Sequence, residues 1–443
     1  MKKIKLLTYF FLLVSLSSGA QGKFVLQKEK SDKINFKMIN NLIVIPVEVN
    51  GVELSFLVDT GVSKPIIFNF LNITEALQIN QAEQIFLRGL GEGEPVEALR
   101  SRNNIFKIGN AININQDLYA IFDPALNFAP RLGVPIHGII GYDFFKDFIV
   151  EINYSKRFIR INEPETYRPK RCRKCVTLKL DFFNNKPYID SVVQLEDQEI
   201  PVKLLIDSGG SDSIWLFQDE EKNVEVPDKY YDDFLGRGLS GKVYGKRAKL
   251  AKFILADFEL KGVNVAFPDS TSISYARKFK DRNGSIAGNI LKRFNLIFNY
   301  AEGTVTIKRN RYFSNPFYYN KSGIELEHDG VRVVKEVNKD IPLNPIGTGN
   351  ESVAQQSLII AGSYRYALAP SFVIAEIRKD SPAERAGLMV GDVILNINNK
   401  HAHQYDMQQI IQMFYAETGK RIKLIIDRQG IQKKFQFKLE NLL

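Results

Sequence analysis

Histidine is scarce in this chain, with four in 443 residues at positions 137, 328, 401 and 403. No H-E-x-x-H occurs, so little material exists for a zinc hydrolase or a His-dependent mechanism. Neither G-x-x-x-x-G-K-[ST] nor G-x-S-x-G is present, which removes the phosphate-cradling P-loop and the serine nucleophile elbow. Cysteine is limited to Cys172 and Cys175. A zinc site would need a second ligand pair. A redox C-x-x-C would open a helix, whereas the following V-T-L-K-L alternates like a strand. A local disulfide or an idle thiol pair remains. After residue 20 no apolar run approaches the roughly 18 residues that suggest a membrane helix. The chain has no acidic excess either: 60 basic against 50 acidic residues give a formal charge of +10. The densest basic stretch, residues 168–174, has no interleaved aromatics on which bases could stack, so no nucleic-acid partner is expected.

What is present is ordinary globular composition, 44% hydrophobic and 25% charged, at a length suited to about three domains. Residues 1–20 read as a secretory signal. Lys2, Lys3 and Lys5 precede the apolar run LLTYFFLLVSL, and Ser18-Gly19-Ala20 offers a cleavage site before Gln21. The expectation is an exported, soluble protein, periplasmic or extracellular, with no membrane span and no cysteine placed for a lipid anchor.

The remaining chain repeats itself. Phe56-Leu-Val-Asp-Thr-Gly61 recurs as Leu204-Leu-Ile-Asp-Ser-Gly209, and the aspartates at 59 and 207 are 148 positions apart. Gly89-Leu90-Gly91 recurs as Gly238-Leu239-Ser240, Gly138-Ile-Ile-Gly141 as Ser285-Ile-Ala-Gly288, and Asn153-Tyr154 as Asn299-Tyr300. Four landmarks in one order at near-constant offset indicate a duplicated lobe. Both halves read as short β-branched strands joined by turns such as Asn50-Gly51. This predicts mainly β, barrel-like lobes.

In each half an aspartate ends an apolar strand and meets Thr/Ser-Gly. A lone buried carboxylate is costly, but two brought together can share a proton, one acting as base toward water and the other as acid. Thr60 and Ser208 can hydrogen-bond across to the opposite lobe, and Gly61 and Gly209 permit the turn. These paired motifs, each followed by apolar-apolar-Gly (Ile139-Ile-Gly141 and Ile286-Ala-Gly288), resemble the aspartic protease superfamily. Two flap-like hairpins, at Gly89, Leu90 and Gly91 and at Gly238, Leu239 and Ser240, resemble its retropepsin branch fused into one chain. The resemblance spans about residues 35–310. It implies Asp59 and Asp207 as a catalytic dyad, supported by Thr60, Gly61, Ser208 and Gly209, with no metal and no cofactor. Val62 and Gly210 follow the motifs without the hydroxyl of the pepsin pattern, which predicts a less acidic working range. Lys64 is expected in solvent and Trp215 in the lobe core.

The C-terminal string SPAERAGLMVGDVILNIN, residues 381–398, resembles a bacterial-type PDZ domain, which binds peptides by strand addition. Gly323, Ile324 and Leu326 are the candidate carboxylate loop. Ile410 and Phe414, on a helix over 406–418, are the candidate groove wall. The expected layout is therefore a signal (1–20), lobe 1 (21–165), lobe 2 (166–312) and an α+β PDZ domain (313–443) with an insertion around 331–370. The combination resembles exported aspartyl protease–PDZ proteins of Gram-negative bacteria. It implies an endopeptidase with peptide or protein substrates and a C-terminal peptide ligand for the PDZ domain. The alternative is a non-catalytic, peptide-binding or chaperone-like envelope protein.

Overall fold

The computed structural model describes residues 22–68, 77–79, 82–123, 126–169, 171–337 and 364–443. The signal segment lies outside them. The protein is mainly β, with few and short helices, and divides into two compact units. The first spans the chain to 128 together with 135–319 and 442–443; the second comprises 129–134 and 320–441.

In the first unit each lobe builds a sheet around a hairpin that carries its aspartate. Leu42–Val49 and Val52–Val58 pair antiparallel in lobe 1, and Lys186–Leu195 and Gln198–Asp207 pair in lobe 2. The apolar side chains of these strands are buried, as their β-branched runs require. The lobe 1 turn has positive φ at both Asn50 and Gly51 (49° and 89°), as a tight Asn-Gly hairpin demands. Behind each hairpin runs the later strand of the repeat, parallel to it: Gly138–Ile140 beside Phe56–Val58, and Gly284–Ala287 beside Leu204–Asp207.

The hairpins that close the two repeats do not stay apart. Ile149–Asn153 from lobe 1 pairs antiparallel with Phe294–Asn299 from lobe 2. They form the centre of a six-stranded sheet whose outer strands include Ser31–Asn35 and Cys175–Lys179. One apolar core runs through both lobes and this shared sheet. Cys172 and Cys175 form a disulfide at the start of its edge strand. The lobes also hold the chain to Tyr319, past the expected boundary at 312. Buried Arg293 donates to the carbonyl oxygens of Tyr312, Phe313 and Asn315, and its guanidinium stacks 3.6 Å from the Phe317 ring centre.

The second unit has a separate core that includes Leu326, Phe372, Ile410, Phe414 and Leu424. Its sheet begins with two long strands, Ile324–Val337 and Tyr364–Ile377, paired to Val337↔Tyr364. The described ends of the expected insertion, 331–337 and 364–370, are therefore strand; its middle lies outside the described residues. Ser381 caps the short helix Pro382–Arg385 by accepting from the Glu384 N–H at 3.2 Å. Met407–Phe414 opens with an Asp406–Gln409 capping box and stops four residues before the end expected from its periodicity. Among the described residues no helix is long and apolar enough to cross a membrane.

Candidate active site

The fold brings the two repeated motifs together. Asp59 follows the strand Val52–Val58 and Asp207 ends the strand Gln198–Asp207, and an ideal Cβ placed on Gly209 would lie 2.2 Å from Asp59 Cγ. Only glycine leaves room for the opposite carboxylate there. Gly61 N–H donates to Asp59 Oδ1 at 2.7 Å, and Gly209 N–H to Asp207 Oδ1 at 3.1 Å. Between the loops, Thr60 Oγ1 donates to the Ile206 carbonyl at 2.6 Å and Ser208 Oγ to the Val58 carbonyl at 2.8 Å. Both hydroxyls are buried. The parallel strands support this arrangement from behind, with Asp59 N–H donating to Ile140 O at 2.8 Å. Gly141 has no room for a side chain, since a Cβ would meet Asp59 O at 2.1 Å.

The electrostatics follow from this crowding. Asp59 is pushed up to about 7 by burial and by the neighbouring charge of Asp207. Burial also raises Asp207, against the pull of Arg282 and Lys186. The sequence did not single out these two cations. A signal for Lys186 was present: Asn40-Asn41 and Asn184-Asn185 are matching turns with positive φ, and Leu42 follows the first where Lys186 follows the second. Lys64, expected in solvent, instead pairs with buried Asp143 at 3.1 Å, its own side chain only 20% exposed. Burial of an aspartate accounts for this capture. Trp215 is half-buried rather than core, with its indole N–H donating to Asp212 Oδ2 at 2.8 Å.

The two flap-like tips meet each other. Ser240 N–H donates to Leu90 O at 2.9 Å, Gly89 N–H to Ser240 Oγ at 3.1 Å, and Gly93 N–H to Ser240 O at 2.6 Å. The approach is tight: a Cβ on Gly238 would meet Leu90 O at 2.2 Å, and one on Gly89 would meet Leu239 Cβ at 2.7 Å. Leu90 packs against lobe 2 beside Leu235, Val243, Ala266 and Trp215.

Residues 45–144 match the family model of an aspartyl protease, and residues 373–428 match that of a PDZ domain. The chain carries an aspartyl protease domain and a PDZ domain. The protease match covers Asp59 and Gly138–Gly141; Asp207 lies beyond it, in the second copy that the duplication reveals. Among curated proteins the chain is similar to a probable CtpA-like serine protease of Staphylococcus haemolyticus (strain JCSC1435). It is 26% identical over 104 residues, which is 24% of this chain and 18% of that protein's length.

The PDZ residues expected to contact peptide do not stand free. Ile324, Leu326, Ile410 and Phe414 are core of the PDZ domain, each at most 4% exposed. The loop's backbone donors are engaged internally. Ser322 and Gly323 N–H donate to Asn320 Oδ1, and Ile324 N–H donates to Ser322 Oγ. The helix face that carries Ile410 and Phe414 packs into the core, because the periodicity that marks a groove also marks a core. Within this unit the short helix Ala129–Leu132 packs on the strand Ile324–Val337, where Arg131 Nε meets Glu327 Oε1 at 2.6 Å.

Proposed function

We propose that the protein is an exported aspartic endopeptidase in which Asp59 and Asp207 activate a water, with the PDZ domain binding peptide or partner chains. The observation that carries this reading is the convergence of two carboxylates in a crowded, pseudo-symmetric site cross-linked by Thr60 and Ser208. Two such groups do not ionise together easily, so they hold one proton between them over a wide pH range. Aspartic proteases are themselves the established example of a proton shared in this way. Arg282 acts on Asp207 and favours its ionised form, which leaves the shared proton on Asp59.

In this assignment Asp207 takes a proton from water as the water oxygen attacks the peptide carbonyl carbon. Asp59 gives its proton to the carbonyl oxygen. The tetrahedral diol then collapses: Asp207 gives its proton to the amide nitrogen, Asp59 takes one from a diol hydroxyl, the C–N bond breaks, and the dyad again holds one shared proton. By their resemblance to protease flaps, the interlocked tips are read as a cover that excludes bulk water from this step. The serine-type name of the distant relative does not transfer to the serine of the motif, because the Ser208 hydroxyl already donates to Val58 O.

The test is incubation of the mature protein with a mixed peptide library across pH, with products read by mass spectrometry. Internal cleavages that disappear in Asp59→Asn are expected; a protein that binds peptides and cuts none is the non-catalytic alternative.

A further inference from the structure

The dyad sits beside more positive charge than it can neutralise. Lys186 begins the strand Lys186–Leu195 after the Asn184-Asn185 turn, and that turn is fixed to lobe 1 by Ser63 Oγ donating to Asn184 O at 2.8 Å. The strand pairs Tyr188 with Leu205, two positions before Asp207 on the neighbouring strand, so Lys186 stands at the level of the aspartate. Arg282 is 8% exposed; its Nε donates to Gly284 O at 3.0 Å, its guanidinium lies 5.1 Å from the Phe217 ring centre, and Tyr188 is a further partner.

Other cations nearby are compensated: Lys64 by Asp143, and Lys203 by Asp181 and Asp190. Among the described residues the carboxylates acting on Lys186 are Asp59 and Asp207, and the one acting on Arg282 is Asp207. A singly protonated dyad carries one negative charge against these two positive ones. The half-buried cluster is thus left with an excess of one positive charge in a site where uncompensated charge is costly. The excess is also lopsided. The matching position after the lobe 1 turn is Leu42, 6% exposed and apolar, so the pseudo-twofold symmetry of the dyad does not extend to its surroundings.

We propose that Lys186, with the charge of buried Arg282 behind it, forms a carboxylate-binding subsite beside the dyad, so that the enzyme prefers peptides with an acidic side chain or a free C-terminal carboxylate next to the scissile bond. This rests on the peptidase reading and names its substrate class. A substrate carboxylate neutralises the excess charge and accepts a charge-assisted hydrogen bond from Lys186.

The test uses two dodecapeptide pools identical except for Glu or Gln at each varied position, each made with a C-terminal acid and a C-terminal amide. Binding is read by calorimetry and cleavage by mass spectrometry, for wild type, Lys186→Met and Lys186→Gln, with folding checked by circular dichroism. Wild type is expected to bind the preferred anionic pool about tenfold tighter than its neutral match. That ratio falls toward one in both variants. A Glu-over-Gln difference assigns the carboxylate to a side chain; an acid-over-amide difference assigns it to the C-terminus. Ratios within twofold for both pairs in wild type, or a ratio unchanged in both variants, overturn the subsite. Because binding is measured separately, an absence of cleavage would overturn the peptidase reading while the ratios still decide the subsite.

Discussion

Thr60 and Ser208 hold each other by exchange: Thr60 N–H donates to Ser208 Oγ at 3.0 Å, and Ser208 N–H donates to Thr60 Oγ1 at 3.0 Å. Each hydroxyl therefore accepts from one lobe and donates to a carbonyl of that same opposite lobe. Removing either one orphans a buried N–H and a buried carbonyl across the interface. Thr60→Val and Ser208→Ala should each cost about 1–3 kcal/mol in urea unfolding, and the double variant less than the sum, since the two share one network. Thr60→Ser keeps the hydroxyl and should retain most of the stability. Full additivity, or an equal loss in Thr60→Ser, would contradict a shared network.

The raised Asp59 carboxyl makes stability depend on pH. In the unfolded chain it ionises near its ordinary value of about 4, but in the folded protein it holds its proton to about 7. Over that window the native state binds more protons, so this group's contribution to stability falls as pH rises from about 4 to 7. Asp59→Asn removes the titration. Its melting temperature relative to wild type should therefore climb between pH 5 and pH 8. A difference constant with pH would show that the carboxyl ionises normally.

Gly210 tests the absent hydroxyl. An ideal Cβ there would lie 3.6 Å from Asp207 Oδ2 and 3.0 Å from Ala287 Cβ, so a serine fits with a small shift. Its hydroxyl would donate to the ionised carboxylate and lower its pKa. Gly210→Ser should move the lower limb of the kcat/KM profile, set by ionisation of Asp207, to lower pH. An unmoved limb would mean that the backbone N–H of Gly210 already supplies that bond in full.

The flap contact is tested at Gly91. Its φ of 117° and the 2.5 Å between an ideal Cβ and Ser240 C leave no place for a side chain. Gly91→Ala should part the tips, speed amide exchange at 89–93 and 238–241, and lower kcat/KM by roughly tenfold or more, in line with loss of a substrate-closing element. Unchanged exchange would show that the tips do not depend on each other.

Much of the site is legible in the chain, for local reasons. The duplicated Asp-Thr/Ser-Gly motifs, their glycines and the cross-lobe hydroxyls are short patterns whose chemistry dictates their placement. The shared sheet is not legible, because Ile149–Asn153 and Phe294–Asn299 lie far apart in the chain and nothing in either strand names its partner. Lys186 and Arg282 escape notice because a cation in a strand normally signals a solvated face; only comparison of the two Asn-Asn turns exposes Lys186 as the odd member of a pair. Ile324, Leu326, Ile410 and Phe414 are buried in the PDZ core, a placement their sequence could not announce because apolar spacing does not distinguish a groove wall from a core.

The central claim is that Asp59 and Asp207 work as one unit. The direct measurement is kcat/KM for a single cleaved peptide, from pH 4 to 8, with wild type, Asp59→Asn, Asp207→Asn and the double variant. Each single change should reduce kcat/KM by about 10³-fold or more and nearly as far as the double change, because residues acting as a unit are strongly non-additive. The wild-type profile should keep its activity toward neutral pH, with its upper limb set by the raised dyad. A single variant that retains turnover near wild type, at any pH in that range, would contradict the shared dyad.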